Sequence, residues 1–293
     1  MSPFLDALLL GAGYNAALVT VGAALLGVAA GATGTFLFLA KRALVSDAVA
    51  HATLPGVGLA FIAMVAMGGD GRSLPGLLAG SAASAWAGLL AIEWITRRTR
   101  LKEDAAIGAV LGVFFGLGVV LLTVVQTMGA GRQAGLEEFL LGATAGMLLA
   151  DGVTIATGGA LALAATWMLR RPMTLVAFDR DAAAARGYDL RRVDLAMMAL
   201  VMGVTVIGLK LVGLILIVAL LIVPPVAARF WTERAGGVVW IAGAIGGASG
   251  YIGAAASAAA PDLPTGPIIV LVAAGIFALS LLVEIGRASC RER

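Results

Sequence analysis

The sequence predicts an all-α polytopic membrane protein, a bundle of about nine transmembrane helices, and three observations lead there. Of 293 residues, 61% are hydrophobic and only 13% charged, with a mean hydropathy of +1.02, so the chain has too little polar surface to coat a soluble globule. The apolar residues gather in runs close to the roughly 20 residues that a hydrocarbon core of about 30 Å requires, divided by short charged segments. A membrane barrel would instead show alternating segments of about 10 residues. The 40 glycines, with many alanines, permit the close helix contacts on which association in lipid depends.

The first apolar run, 15–40, leads into Lys41 and Arg42 without a small-residue cleavage site and reads as a retained span. Runs at 44–67, 74–96 and 105–127 follow, the last two divided by the basic stretch Arg97–Lys102. Asp104, just before the fourth run, reads as its N-cap. The fifth run, 150–169, stops at Arg170 and Arg171, and Asp151 stands at its head. The longest polar interruption, Arg170–Asp194, holds the alanine run Ala182–Ala185 and predicts a short cytoplasmic helix. Runs at 193–210, 212–231, 237–259 and 265–284 complete the count. The turn at Lys210–Gly213 is tight, and an eight-span arrangement with a broken helix there satisfies the same pattern. Pro224 and Pro225 remove two backbone donors in mid-span, which predicts a kink or bend.

The basic clusters Lys41–Arg42, Arg97–Lys102, Arg170–Arg171, Arg191–Arg192 and Arg229–Arg234 are cytoplasmic by the positive-inside rule, which puts the amino terminus outside. Only one crossing fits between the outer loop Gly129–Gly135 and Arg170, so the apolar stretch Phe139–Leu149 is expected to be a short re-entrant helix. Residues 1–283 read as one transmembrane domain. Residues 284–293, EIGRASCRER, resemble the translation of a common sequencing-library adapter; with Cys290, the only cysteine, they are set aside as non-native. The net charge of +3 sits at span ends with no basic stripe or interleaved aromatics, so nucleic acid is not an expected partner.

Two polar residues stand out inside the second run. Asp47 and His51 are four apart and share one helical face. A carboxylate within a span costs about 2.5–3.5 kcal/mol on insertion scales unless it meets a cavity or a partner. A divalent cation is one such partner, and carboxylate oxygen with neutral imidazole nitrogen suits Mn2+, Fe2+ or Zn2+. The alternative is that Asp47 caps its helix while His51, the only histidine, hydrogen-bonds a neighbouring helix.

The segment Leu39–Ile62, LAKRALVSDAVAHATLPGVGLAFI, resembles the signature of the bacterial ABC-type manganese, zinc and iron importer permeases, which join a basic pair to Asp-x-x-x-His and Leu-Pro-Gly. FDRDAAAARGYD at Phe178–Asp189 is similar to that family's cytoplasmic coupling segment. The long apolar motif Leu211–Arg234 and the outer turn Asp262–Leu271 extend the likeness, in order, to about Val283. Ala50 and Pro225 depart from the residues common there.

The resemblance implies a permease of the bacterial inner membrane that pairs with a second copy or a paralogue, two cytoplasmic ATPase subunits and an extracytoplasmic metal-binding protein. It implies no permanently bound cofactor: the divalent ion is cargo, and ATP is used by the partner. It assigns Asp47 and His51 to the metal path, with Phe178, Asp179, Ala183 and Gly187 in the helix pressed into the ATPase groove. Asp262 is expected at the outer mouth, where turn chemistry explains it nearly as well; Glu137 and Glu138 suit another outer edge.

The only lysines, Lys41, Lys102 and Lys210, are not preceded by glycine, so the chain carries no Walker A loop and is read as a transport subunit, not an enzyme. A secondary transporter using Asp47 and His51 as a proton relay is the alternative, although no matched pair of broken helices supports it. An intramembrane metalloenzyme would need H-E-x-x-H or a second histidine. Few imidazoles and no thiolate lean the cargo toward Mn2+ or Fe2+, with Zn2+ close.

Overall fold

The structure, a computed structural model, describes residues 3–69, 71, 73–128, 147–260 and 263–291. Among these the regular elements are all helices: α1 (Pro3–Leu8), α2 (Tyr14–Leu39), α3 (Leu44–Ala66), α4 (Leu74–Arg98), α5 (Glu103–Thr127), α6 (Leu149–Phe178), α7 (Arg180–Ala185), α8 (Leu190–Leu209), α9 (Leu216–Arg229), α10 (Ala235–Ala258) and α11 (Thr265–Arg291). Eight are long and apolar enough to cross a membrane, and α9 is a shorter apolar helix. Phe139–Met147, the bulk of the expected re-entrant helix, lies largely outside the described residues, as do Glu137, Glu138 and Asp262.

α8 and α9 are joined by a break at Gly213, whose φ of 75° and ψ of 176° suit a residue without a side chain. On a straight helix Gly208 and Ile217 would stand about 13 Å apart. Instead, a Cβ on Gly208 would lie 3.0 Å from Ile217 Cγ1, so the chain doubles back here. The two prolines do not break α9, whose backbone stays helical through Pro224 and Pro225. Pro225 cannot donate to the Leu221 carbonyl, and that oxygen packs directly on Gly34 of α2, where any side chain would collide with it.

α2 is the centre of the bundle, flanked by α10, α6 and the α8–α9 pair. Its seam with α10 is built from small residues at four-residue spacing: Ala23 against Gly250, Gly27 against Gly246, and Gly31 against Ala242. A Cβ at Gly27 or Gly246 would strike the facing carbonyl, so the two backbones touch. Hydroxyls inside these helices are satisfied by their own preceding turn, as in Thr35 to the Gly31 carbonyl (2.9 Å) and Ser249 to the Ile245 carbonyl (2.7 Å). α3, α4 and α5 form a second group that joins the first through α8 and α9.

One end of the bundle gathers the charges. Arg42 pairs with Glu103 (2.9 Å) and Asp194 (3.2 Å), Arg180 with Asp194 (2.7 Å), and Glu93 with both Arg97 (2.9 Å) and Arg191 (2.8 Å). These links fasten α4, α7, α8, the α2–α3 turn and the start of α5 to one another, so three of the basic clusters share an end. α6 runs further than its apolar run foretold: it continues through Arg170, Arg171 and Pro172 to Phe178 as a helix of 30 residues. At about 1.5 Å per residue it outreaches a hydrocarbon core of roughly 30 Å, so its last turns stand in water, where arginine is at no disadvantage. Asp104 does not cap α5: Lys102 occupies the N-cap, and Asp104 lies in the first turn, where the helix dipole favours a carboxylate. Asp151 is buried at the start of α6 and accepts from the Leu148 N–H at 2.9 Å, satisfying one of the helix's unpaired donors.

Candidate metal site and coupling segment

α3 begins immediately after the charged turn, with the Arg42 carbonyl accepting from Val45 N–H at 3.0 Å. Along the stretch 45–58, every residue is buried except Asp47 and His51. Over this stretch the helix thus spends its circumference on packing apart from one face, and on that face it carries the polar pair. Asp47 Oδ1 and His51 Nε2 lie 3.4 Å apart, with the side chains 39% and 23% exposed respectively. That separation brings an anionic oxygen and an imidazole nitrogen to bear on one small volume.

Neither half of the cap-and-hydrogen-bond alternative describes them. The N-cap of α3 is Ala43, with no side-chain cap, and Asp47 is a turn further in. Among the described residues His51 Nδ1, which is buried, has no hydrogen-bond partner, and the ring meets Phe115 on α5 edge to face, centroids 5.0 Å apart at 83°. Phe115 therefore fixes the plane of the imidazole while Nε2 faces Asp47. Arg42, the nearest guanidinium in sequence, is held by Glu103 and Asp194, so among the described residues His51 is the only basic group at ion-pair distance from Asp47. Pro55, four residues after His51, has no N–H to give, so the His51 carbonyl lacks its ordinary helical donor.

Among the described residues no cluster of three or more His, Cys, Asp or Glu side chains surrounds the pair. An ion held here would meet two protein side chains, and with about four to six ligands in its shell it would leave the remainder to water and carbonyl oxygens. Such a set strips part of a hydration shell without trapping the ion.

The residues expected to couple to an ATPase occupy one compact turn at the charged end. Phe178 closes α6 with its side chain exposed, and Asp179 caps α7 by accepting from the Ala182 N–H at 2.9 Å. Gly187 ends α7 at φ 82°, with Tyr188 N–H returning to the Ala183 carbonyl at 3.1 Å. Ala183 is fully buried within the chain, so its small size serves the seating of α7; Phe178, Asp179 and Gly187 are the exposed members. Arg180, on α7, is anchored to Asp194 on α8, so this turn is tied to the bundle by a charge-assisted hydrogen bond.

The sequence reading missed Phe115 and the Glu93–Glu103–Asp194 carboxylates. The carboxylates had a visible signal, each standing beside a basic cluster at a span end; Phe115 had none, because only the packing of α5 on α3 brings it to His51.

A family model described as the ABC 3 transport family matches residues 14–284. The manganese transport system membrane protein MntC of Bacillus subtilis is 41% identical over 268 residues, which cover 92% of this chain and 60% of that protein. The zinc transport system membrane protein TroC of Treponema pallidum is 37% identical over 269 residues, covering 92% of this chain and 89% of that one. Among solved structures, PsaBC from Streptococcus pneumoniae in complex with Fab contains a chain that superposes with a TM-score of 0.79 at 27% identity, over 94% of both chains.

Proposed function

The chain belongs to the ABC 3 transport family, and from that premise we propose that it is the membrane-spanning permease subunit of an ATP-driven importer of divalent transition-metal ions. The observation that carries the metal assignment is the Asp47–His51 pair, an oxygen and a nitrogen donor 3.4 Å apart and the only residues of the stretch 45–58 that are not buried. The manganese and zinc names of the relatives agree with it, and the donor set leaves Mn2+ or Fe2+ ahead of Zn2+.

In this reading a soluble binding protein releases the ion into an outward vestibule, which Asp262 flanks. Asp47 and His51 replace part of its hydration, with the His51 carbonyl, which Pro55 deprives of its usual helical donor, as a candidate further oxygen. Two cytoplasmic ATPase subunits press on Phe178 and Gly187, and a second permease copy or paralogue completes the pore. The charged end carrying α7 is cytoplasmic, the amino terminus lies outside, the membrane is the bacterial inner membrane, and residues 1–283 act as one domain. The gradient-driven alternative, with the pair as a proton relay, finds no support among the matched proteins.

Radiometal uptake by the permease with its cognate ATPase and binding protein tests this. Asp47→Ala and His51→Ala are each expected to lower uptake by about tenfold or more, as loss of a ligand does elsewhere. Unchanged uptake of every first-row metal in both variants would overturn the metal path. ATPase co-purification that survives deletion of 178–187 would overturn the coupling assignment.

A further inference from the structure

α6 and α10 both pack on α2 but scarcely on each other, and a cleft of about 1180 Å3 opens between them. Its floor is Val28, Ala32 and Phe36 of α2; Leu163 and Val239 line its walls, and Gly243 widens it. The interior is thus an apolar trough on a membrane-spanning surface. At one end the character changes abruptly. Trp167 of α6 and Trp240 of α10 meet across the trough, centroids 5.6 Å apart, and the Arg170 guanidinium lies 3.3 Å above the Trp167 ring. Arg171 and Arg186 complete the rim, and no carboxylate lines the cleft.

The depth of that rim follows from the helix itself. Trp167 comes 18 residues after Leu149, about 27 Å along α6, where a hydrocarbon core of roughly 30 Å is ending. Tryptophan belongs at that boundary, and Arg170 and Arg171 sit at the level of lipid phosphates. Their charge is also unspent. Among the described residues, Arg42, Arg97, Arg180, Arg191 and Arg192 each pair with a carboxylate, whereas no ion pair involves Arg170, Arg171 or Arg186.

An apolar trough ending in guanidiniums that no described carboxylate pairs, with Arg170 and Arg171 one turn past the indole boundary, complements an amphiphile with an anionic head. We propose that this cleft is a binding site for an anionic phospholipid of the cytoplasmic leaflet. Its phosphate is held by Arg170 and Arg171, and one acyl chain lies along α2 between α6 and α10. The indole pair marks the glycerol level, and Arg170 is held over Trp167 with its remaining N–H donors free for the phosphate.

The test uses the full chain purified in mild detergent, with native mass spectrometry counting phosphatidylglycerol or phosphatidylcholine of identical acyl chains retained per protomer. Wild type is expected to retain phosphatidylglycerol in about tenfold or greater preference. Arg170→Gln/Arg171→Gln is expected to abolish that preference, and Arg97→Gln/Arg98→Gln to leave it intact. Gly243→Leu, which fills the trough and spares the rim, is expected to reduce retention of both lipids, and glycerol 3-phosphate is expected not to displace the bound lipid. Equal retention of the two lipids by wild type overturns the proposal without any variant having to fold. So does displacement by glycerol 3-phosphate, or a Gly243→Leu protein that keeps its lipid but loses a second copy, which would make the cleft a protein interface.

Discussion

Asp194 is the carboxylate on which the charged end turns: its side chain is 14% exposed, one oxygen lies in an ion pair with Arg42 at 3.2 Å and the other accepts a hydrogen bond from Arg180 at 2.7 Å. Asp194→Asn strips the charge from both contacts while keeping the shape, and is expected to cost about 1–3 kcal/mol, read as a lower melting temperature in detergent. Asp189→Asn is the comparison. It also faces an arginine, Arg192, but in the open, and asparagine retains its capping of α8, so a change under about 1 kcal/mol is expected. At this scale the sequence disclosed positions more readily than partners. Helical periodicity placed Asp47 and His51 on one face without any structure, because the relation is local. That Phe115 would fix the imidazole, or that Arg42 would be occupied elsewhere, depends on which helices become neighbours, and no spacing within α3 encodes that.

Among the elements, the α2–α10 seam depends on side chains that are not there. Gly27→Ala places a methyl group against a backbone carbonyl that cannot yield, and is expected to destabilise the chain by about 1–3 kcal/mol or to prevent its folding, measured as yield of monodisperse protein and melting temperature. Gly275→Ala on α11, where an added methyl meets nothing within 4 Å, is expected to be neutral or to stabilise by up to about 1 kcal/mol. The two glycines look alike in the sequence. Element ends were similarly only half legible. Hydropathy stopped the fifth run at Arg170 because it scores residues by their liking for lipid, whereas α6 is a helix that leaves the lipid and continues in water. The break in dihedral angles falls at Gly213, inside the tight turn read at Lys210–Gly213, and not at Pro224 or Pro225, since a proline can keep helical angles at the cost of one hydrogen bond whereas only glycine readily takes those of Gly213.

For the whole molecule, alternating basic and apolar segments were enough to order the crossings, and the ion pairs that draw the α2–α3 turn, the α4–α5 turn and the start of α8 to one end agree with that order. The proposed orientation is open to labelling. In a Cys290→Ser background, Met67→Cys, at the far end of α3, is expected to react with a membrane-impermeant thiol reagent on intact cells. Thr99→Cys, between α4 and α5, is expected to react only after permeabilisation. The reverse pattern would invert the molecule and place the coupling turn on the wrong side for an ATPase.

The reversal at Gly213 also bears on how such a chain is made. The run 212–231 is apolar enough to be sampled as a span, but it is joined to α8 by a turn too tight to rest in water while one arm waits for the other. α8 and α9 are therefore expected to enter the bilayer together as a hairpin, and the backbone broken at Gly213 needs protein around it before lipid closes in. Biogenesis of this region is then expected to be a two-helix event.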